Sequence, residues 1–371
     1  MPTRRDFLAG LASAGAAGAA GCVQVGSSER APSAAAAAGS DAGGGTADPP
    51  AQVSGSGAET AVYRETIDSV VGVLNYGSNG PQGSGSGFVA GDGYVVTNQH
   101  VVAGATQVKL RFRGNTWRDA RIVGTDAYSD LAVLRATDRP AFATPLSWVA
   151  TDPEPPVGTP VMAIGSPYGF SGSASTGIVS GVDRVLSAPN NFTVADSVQT
   201  DAALNPGNSG GPLVTYDGDV VAVAARGGGD NLGFGVSAAL SKRVVPALAT
   251  RGEYDHSLVG VRLLEVTPAI AEAYGLADVG GVLIVEAMAG GPAAGVLRGT
   301  DGRTTVDGVS VPTGGDVVVG VGGTDVAVQA DLSNYLALET SPGDTVPFTV
   351  VRDGTETTVE AELGERPAPG A

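Results

Sequence analysis

The chain of 371 residues has one cysteine, Cys22, so no intrachain disulfide can form in any compartment and the fold must rest on its apolar core. Lysine is nearly as scarce, with only Lys109 and Lys242, and 38 acidic residues against 21 basic ones leave a net charge of −17. That balance argues against a nucleic-acid partner. It suits solubility in strong salt, and it equally suits an ordinary acidic surface. Only two histidines are present, His100 and His256, so imidazole chemistry must use one of them. No apolar run is long enough for a confident membrane span. What remains is an ordinary globular content, 42% apolar, in a length that accommodates two or three domains.

The ends of the chain read differently from its middle. Residues 1–22 carry Arg4-Arg5-Asp6-Phe7-Leu8 before a weakly apolar Ala/Gly run, and this resembles a twin-arginine export signal. Ala19-Ala20-Gly21-Cys22 resembles a lipobox, although the family usually has Leu where this chain has Ala19. Cys22 is thus a lipidation candidate, and the expected location is the outer face of the cell membrane or the medium. Residues 23–58 are mostly Ala, Gly, Ser, Pro and Asp without aromatics, a composition that cannot offset its ordering entropy and reads as a flexible tether.

Between residues 59 and 253, short β-branched runs alternate with Gly, Asn and Asp, as in "GFVAGDGYVVTNQHVV", where Gly91-Asp92-Gly93 separates two strands. Many short strands predict an all-β barrel or sandwich, closed by a helix near Ser237–Leu248 that Pro246 shortens or kinks. Residues 257–363 form a second, α+β unit with helices at Pro268–Tyr274 and Asp331–Glu339. Its stretch Arg298–Gly315 reads as a long loop, and residues 364–371 as an untethered tail.

"NPGNSGGPL", Asn205–Leu213, supports two readings of Ser209. Gly207-Asn208-Ser209-Gly210-Gly211 fits the nucleophile elbow of α/β-hydrolases, but Gly210-Gly211-Pro212 would abort the helix an elbow needs. Only His256 follows Ser209, in "GEYDHSL", and it reads as a solvated linker residue. His100, by contrast, closes the strand "GYVVTNQHVV", and Asp130 opens another in "YSDLAVL". A His…Asp…Ser order belongs to neither the α/β-hydrolases nor the subtilisins but to the chymotrypsin-like enzymes. In that chemistry His100 takes the Ser209 proton, Asp130 orients the imidazole, and backbone amides freed by glycine face the oxyanion.

"TNQHVV", "YSDLAVLR" and "NPGNSGGPL" together resemble the HtrA (Deg) family of trypsin-like serine proteases, and the second unit, in "SLVGVRLLEV", "GGDVVVGVGGTDV" and "YLALETSPGDTV", resembles that family's PDZ domain. The resemblance covers roughly residues 59–362. It implies a mainly β fold: a chymotrypsin-like double β-barrel followed by a small α+β PDZ domain. It implies ATP-independent cleavage of unfolded proteins by the triad His100, Asp130 and Ser209, with no cofactor and no metal. The oxyanion hole falls on Gly207, Asn208 and Ser209, and the pocket for an aliphatic side chain on Asn231, Leu232, Gly233 and Phe234. The segment "SGVDRVLSAPNNF" corresponds to a loop that switches the oxyanion site in the family. Leu258, Val259, Gly260 and Val261 match the loop that holds a peptide's free C-terminus. Homotrimers are implied through Ala61–Tyr63 and neighbours, and a lipid anchor through Cys22. The competing class is a PDZ-bearing chaperone or scaffold on an inactive protease fold, which an intact triad disfavours.

Overall fold

Alternation in the sequence becomes closed sheet. The computed structural model describes residues 57–166, 172–187, 192–229 and 231–368. The export signal, Cys22, the tether up to residue 56, and residues 188–191 of the expected switching loop lie outside the described residues. Helix α1 (Ala58–Thr66) precedes β1 (Val70–Gly77), β2 (Gly80–Ala90), β3 (Tyr94–Asn98), the single turn α2 (Gln99–Val102), β4 (Gln107–Phe112), β5 (Thr116–Asp126) and β6 (Leu131–Ala136). The strands close a barrel in the order β1-β2-β3-β6-β5-β4. In β4 the period of two sends Val108, Leu110 and Phe112 inward, all essentially buried. Each such side chain stabilises the fold by about 1.5–3 kcal/mol relative to exposure.

A second barrel, in the order β10-β11-β12-β9-β8-β7, comprises β7 (Pro160–Gly165), β8 (Ser173–Ser187), β9 (Thr193–Thr200), β10 (Pro212–Thr215), β11 (Val220–Gly229) and β12 (Leu232–Ser237). The double barrel is the fold the resemblance implied. Its main core lies between the barrels, where Phe88, Val96 and Leu131 of the first meet Met162, Ile164 and Val223 of the second. Helix α3 (Ala238–Thr250) adds Leu240, Val244 and Leu248 to that core. Pro246 does not shorten α3: it lies on the exposed side of the helix, as does Lys242, the residue whose carbonyl it leaves without its usual donor. The Ser237 hydroxyl caps α3 through the Leu240 amide, 3.0 Å away. Helix α1 went unread because its Ala-rich start resembles the tether. Its buried Val62 and the bond from Tyr63 Oη to the Gly172 carbonyl, 2.9 Å, tie it down.

The second unit runs β13 (Ser257–Leu258), β14 (Val261–Glu265), α4 (Pro268–Tyr274), β15 (Val282–Ala287), β16 (Gly302–Val306), β17 (Val309–Thr313), β18 (Val317–Val321), β19 (Thr324–Asp325), α5 (Gln329–Glu339), β20 (Thr345–Arg352), β21 (Thr355–Glu362) and β22 (Gly364–Glu365). The main sheet has the order β14-β15-β18-β20-β21. The stretch Arg298–Gly315 is not a loop but mostly the hairpin β16–β17, and its Val311 packs with Ile270 of α4. The described part of the expected tail, residues 364–368, is tethered too. β22 pairs with β13, the Arg366 amide donates to the His256 carbonyl at 2.8 Å, and Tyr128 Oη donates to the Pro367 carbonyl at 2.6 Å. These bonds span more than a hundred residues, so local composition could not announce them.

The two units join through polar contacts. Asn334 of α5 accepts from the Asp196 amide at 2.8 Å and donates to the Asp183 carbonyl at 3.2 Å. Arg243 of α3 donates to the Leu338 and Thr340 carbonyls and, at 2.6 Å, to Tyr254 Oη.

Candidate active site

His100 sits on α2, where β3 leaves the barrel, and Asp130 sits in the turn that enters β6. The turn is tight enough to hold Asp130 at a φ of 55°, a left-handed conformation aspartate tolerates better than most residues. The Asp130 carbonyl accepts from the Gln99 amide and from Asn98 Nδ2, both at 3.0 Å. Its carboxylate, completely buried, accepts from the His100 amide at 3.0 Å and meets His100 Nδ1 at 2.7 Å. A carboxylate there makes Nδ1 the donor and leaves Nε2 as the basic nitrogen.

Ser209 reaches the same cavity from the second barrel. The cavity, about 250 Å³, has His100, Ser209, Leu204 and the strand Ala224–Gly227 in its wall. Ser209 Oγ does not bond His100; it donates to the Ala225 carbonyl at 2.8 Å. The loop before it is fixed by Ser86, a residue the sequence reading did not single out. Ser86 Oγ donates to the Gly207 carbonyl at 2.6 Å and accepts from the Ser166 amide at 2.7 Å, while the Ser86 amide donates to the Ser209 carbonyl at 2.8 Å. The small-residue run "GSGSGF" was the available signal. Gly210 has a φ of 85°, and a Cβ there would lie 2.2 Å from the Ser86 carbonyl oxygen, so no other residue fits. Gly207, at a φ of 100°, is similarly restricted.

The amides of Gly207 and Ser209 donate to none of the described residues. Asn208 departs from its expected oxyanion role, because its amide closes a turn onto the Asn205 carbonyl at 3.0 Å. The pocket residues differ as well. Asn231, Leu232, Gly233 and Phe234 do not line the cavity: Asn231 is an exposed turn residue, Phe234 packs against the inter-barrel core, and Gly233 lies behind Leu204. A Cβ on Gly233 would be 2.8 Å from Leu204 Cγ, so the Leu204 side chain fills the space in front of β12. Among the described residues, no acidic residue lines the cavity.

A second groove, about 330 Å³, lies between β14 and α5, with the expected Leu258, Val259, Gly260 and Val261 in its lining. The Val259 and Gly260 carbonyls accept from Ala293 and Met288 amides, at 3.0 and 2.9 Å, which turns those oxygens into the domain. Tyr128, Thr193 and Ala195 of the barrels also border this groove.

His256 corrects the expectation of a solvated linker residue. Only 11% of its side chain is exposed, Nε2 lies 2.8 Å from Asp126 Oδ2, and Tyr128 and Tyr254 meet the ring edge-on. Asp126 also accepts from the Tyr128 and Ser129 amides, at 3.2 and 3.0 Å. Burial pushes its carboxyl up, but the hydrogen bond and charge of His256, with the Ser129 and Tyr128 bonds, hold it below the usual range.

Residues 85–223 match the trypsin-like peptidase domain family, and residues 257–363 match the PDZ domain family. The chain is 36% identical over 295 residues to the probable periplasmic serine endoprotease DegP-like of Pseudomonas fulva (strain 12-X), covering 77% of this chain and 57% of that protein. It is 36% identical over 297 residues to the protein of the same name from Rhizobium meliloti (strain 1021), covering 78% and 54%. The chain therefore spans little more than half the length of these curated relatives. Among solved structures, the HtrA-type protease AlgW with tripeptide has a TM-score of 0.68 and 28% identity, over 84% of this chain and 98% of that one. The serine endoprotease from Yersinia pestis has a TM-score of 0.58 and 26% identity, over 83% and 98%.

Proposed function

This chain belongs to the HtrA/Deg-type trypsin-like serine proteases that carry a PDZ domain, and we propose that it is an exported, ATP-independent endopeptidase of unfolded or misfolded proteins. The observation that carries the reading is the His100–Asp130 pair on one barrel opening onto the same cavity as Ser209 on the other. Rotation of the Ser209 side chain away from the Ala225 carbonyl would begin the reaction. Oγ then attacks the scissile carbonyl carbon as His100 Nε2 takes its proton, and buried Asp130 stabilises the imidazolium. The amides of Gly207 and Ser209 are the donors for the oxyanion. Collapse of the tetrahedral intermediate breaks the C–N bond, with Nε2 returning the proton to the leaving amine, and water attacking through the same base frees the acid and Ser209. Leu204, Ala224 and Ala225 in the cavity wall favour a small or medium aliphatic side chain before the cleaved bond.

The PDZ groove takes peptides with a free C-terminus by strand addition to β14. The structural neighbour AlgW was solved with a tripeptide, which supports a peptide ligand here. Relatives named as periplasmic support export; Cys22 would be the lipid anchor. Homotrimers would form through α1 around Ala61–Tyr63. Casein digestion by wild type beside Ser209→Ala, at low and high salt, tests the central reading. Cleavage should fall by about three to six orders of magnitude, and undiminished digestion by the variant would end it.

A further inference from the structure

Arg366 lies beyond the residues that match the PDZ family, yet it lines the groove of that domain. The β13–β22 pairing and the bond from its amide to the His256 carbonyl place it opposite His256, two residues before Leu258, where the carboxylate loop begins. Its guanidinium carbon stands 3.6 Å over the centre of the Tyr128 ring. That stack orders the side chain without cancelling its charge. No carboxylate lies within ion-pair distance of it among the described residues, and no Asp or Glu lines the groove. The other basic group there, His256, is already engaged by Asp126. At the opposite end, Glu265 accepts from the Gln329 amide at 3.3 Å and makes that end acidic. Among the described residues, the groove thus has a cation without an acidic partner at its loop end, while the Glu265 carboxylate stands outside its lining at the far end of β14, in a chain of net charge −17. Between them Leu258, Leu263, Leu332 and Leu336 present an apolar wall.

We propose that Arg366 receives the α-carboxylate of a peptide's free C-terminus, so that the ligand's charge is held by a residue seated on the protease domain rather than by the PDZ loop alone. The inference rests on the peptide-binding reading of the groove. The ligand class is a peptide with an apolar last residue and a free carboxylate, its upstream residues running toward Glu265 and therefore neutral or basic. Because Tyr128 lies two residues before Asp130, the same contact brings the bound peptide against the loop that carries the buried member of the triad.

The test uses the full chain and a fluorescein-labelled decapeptide ending in Leu-Leu, as the free acid and as the C-terminal amide, read by fluorescence anisotropy. Wild type should bind the acid more tightly than the amide. Arg366→Gln should weaken the acid about tenfold and leave the amide unchanged, and Arg366→Lys should restore part of the loss. Equal weakening of acid and amide in Arg366→Gln, or no weakening of either, would overturn the proposal. Should that variant fail to fold, the wild type still decides, since added salt should weaken the acid and not the amide; equal salt sensitivity overturns the assignment. If neither peptide binds wild type, the peptide-binding reading itself fails and takes this inference with it.

Discussion

The two histidines of this chain make nearly the same contact in different surroundings. His100 meets Asp130 at 2.7 Å and His256 meets Asp126 at 2.8 Å, both carboxylates are buried, and the two aspartates are four residues apart on one turn. The surroundings separate them. His100 opens onto a cavity that holds Ser209, whereas His256 is packed edge-on between Tyr128 and Tyr254 at the junction of the units. A histidine–aspartate pair is therefore no signature of catalysis by itself. On the proposed function, the nucleophile across the cavity would give one pair its chemistry, while the other braces the turn that supports the first.

The largest effect that sharpens this contrast is on turnover. His100→Ala should lower peptide-bond cleavage by about four orders of magnitude or more, while His256→Ala, once folded, should stay within about tenfold of wild type, as read by initial rates on casein. Stability should separate the pairs in the opposite sense. Asp126→Asn breaks a buried charged contact that also holds the Tyr128 and Ser129 amides, and should cost about 3 kcal/mol in denaturant unfolding; a wild-type midpoint would contradict the bracing role.

Acid should remove the same contact. The Asp126 carboxyl is held below its ordinary value, so its contribution is present above the unfolded pKa and is lost as pH falls through the folded one. The opposite pH dependence belongs to Glu154, in the second barrel's surroundings, whose carboxyl is pushed up to about 7 by burial and then by the nearby charges of Asp196 and Asp183. Its folded value lies above the unfolded one, so the protonated form favours folding and that favour fades as pH rises from about 4.5 toward 7. Glu154→Gln should therefore melt higher than wild type at pH 8 and match it at pH 4, and an equal shift at both would remove Glu154 from the account. The smallest change concerns the pocket. Leu204→Ala should move preference toward larger apolar side chains, by about tenfold in relative kcat/KM, on peptides that vary only the residue before the cleaved bond.

His100, Asp130 and Ser209 were legible because each sits in a short stretch whose neighbours are local: a strand end, a strand entry and a glycine-rich turn. The barrels were legible for the same reason, through alternation such as Val108, Leu110 and Phe112. His256, Arg366 and Leu204 were not. The partner of His256 lies 130 residues earlier in the chain, and that of Arg366 further still. Leu204 takes its place only because Gly233, on a distant strand, has no side chain. Asn208 misled for a subtler reason, since the sequence does not reveal which amides in a glycine-rich turn close the turn and which remain free. Composition also hid α1, where alanine reads as tether until Val62 finds the core.

The contrast between the two histidines is tested most directly by the rate at which a fluorophosphonate reagent labels Ser209 in wild type, His100→Ala and His256→Ala at neutral pH. Rapid labelling of wild type and of folded His256→Ala, with almost none in His100→Ala, is the result expected here. Labelling of His100→Ala at the wild-type rate, or its loss only in folded His256→Ala, would contradict the assignment of the base.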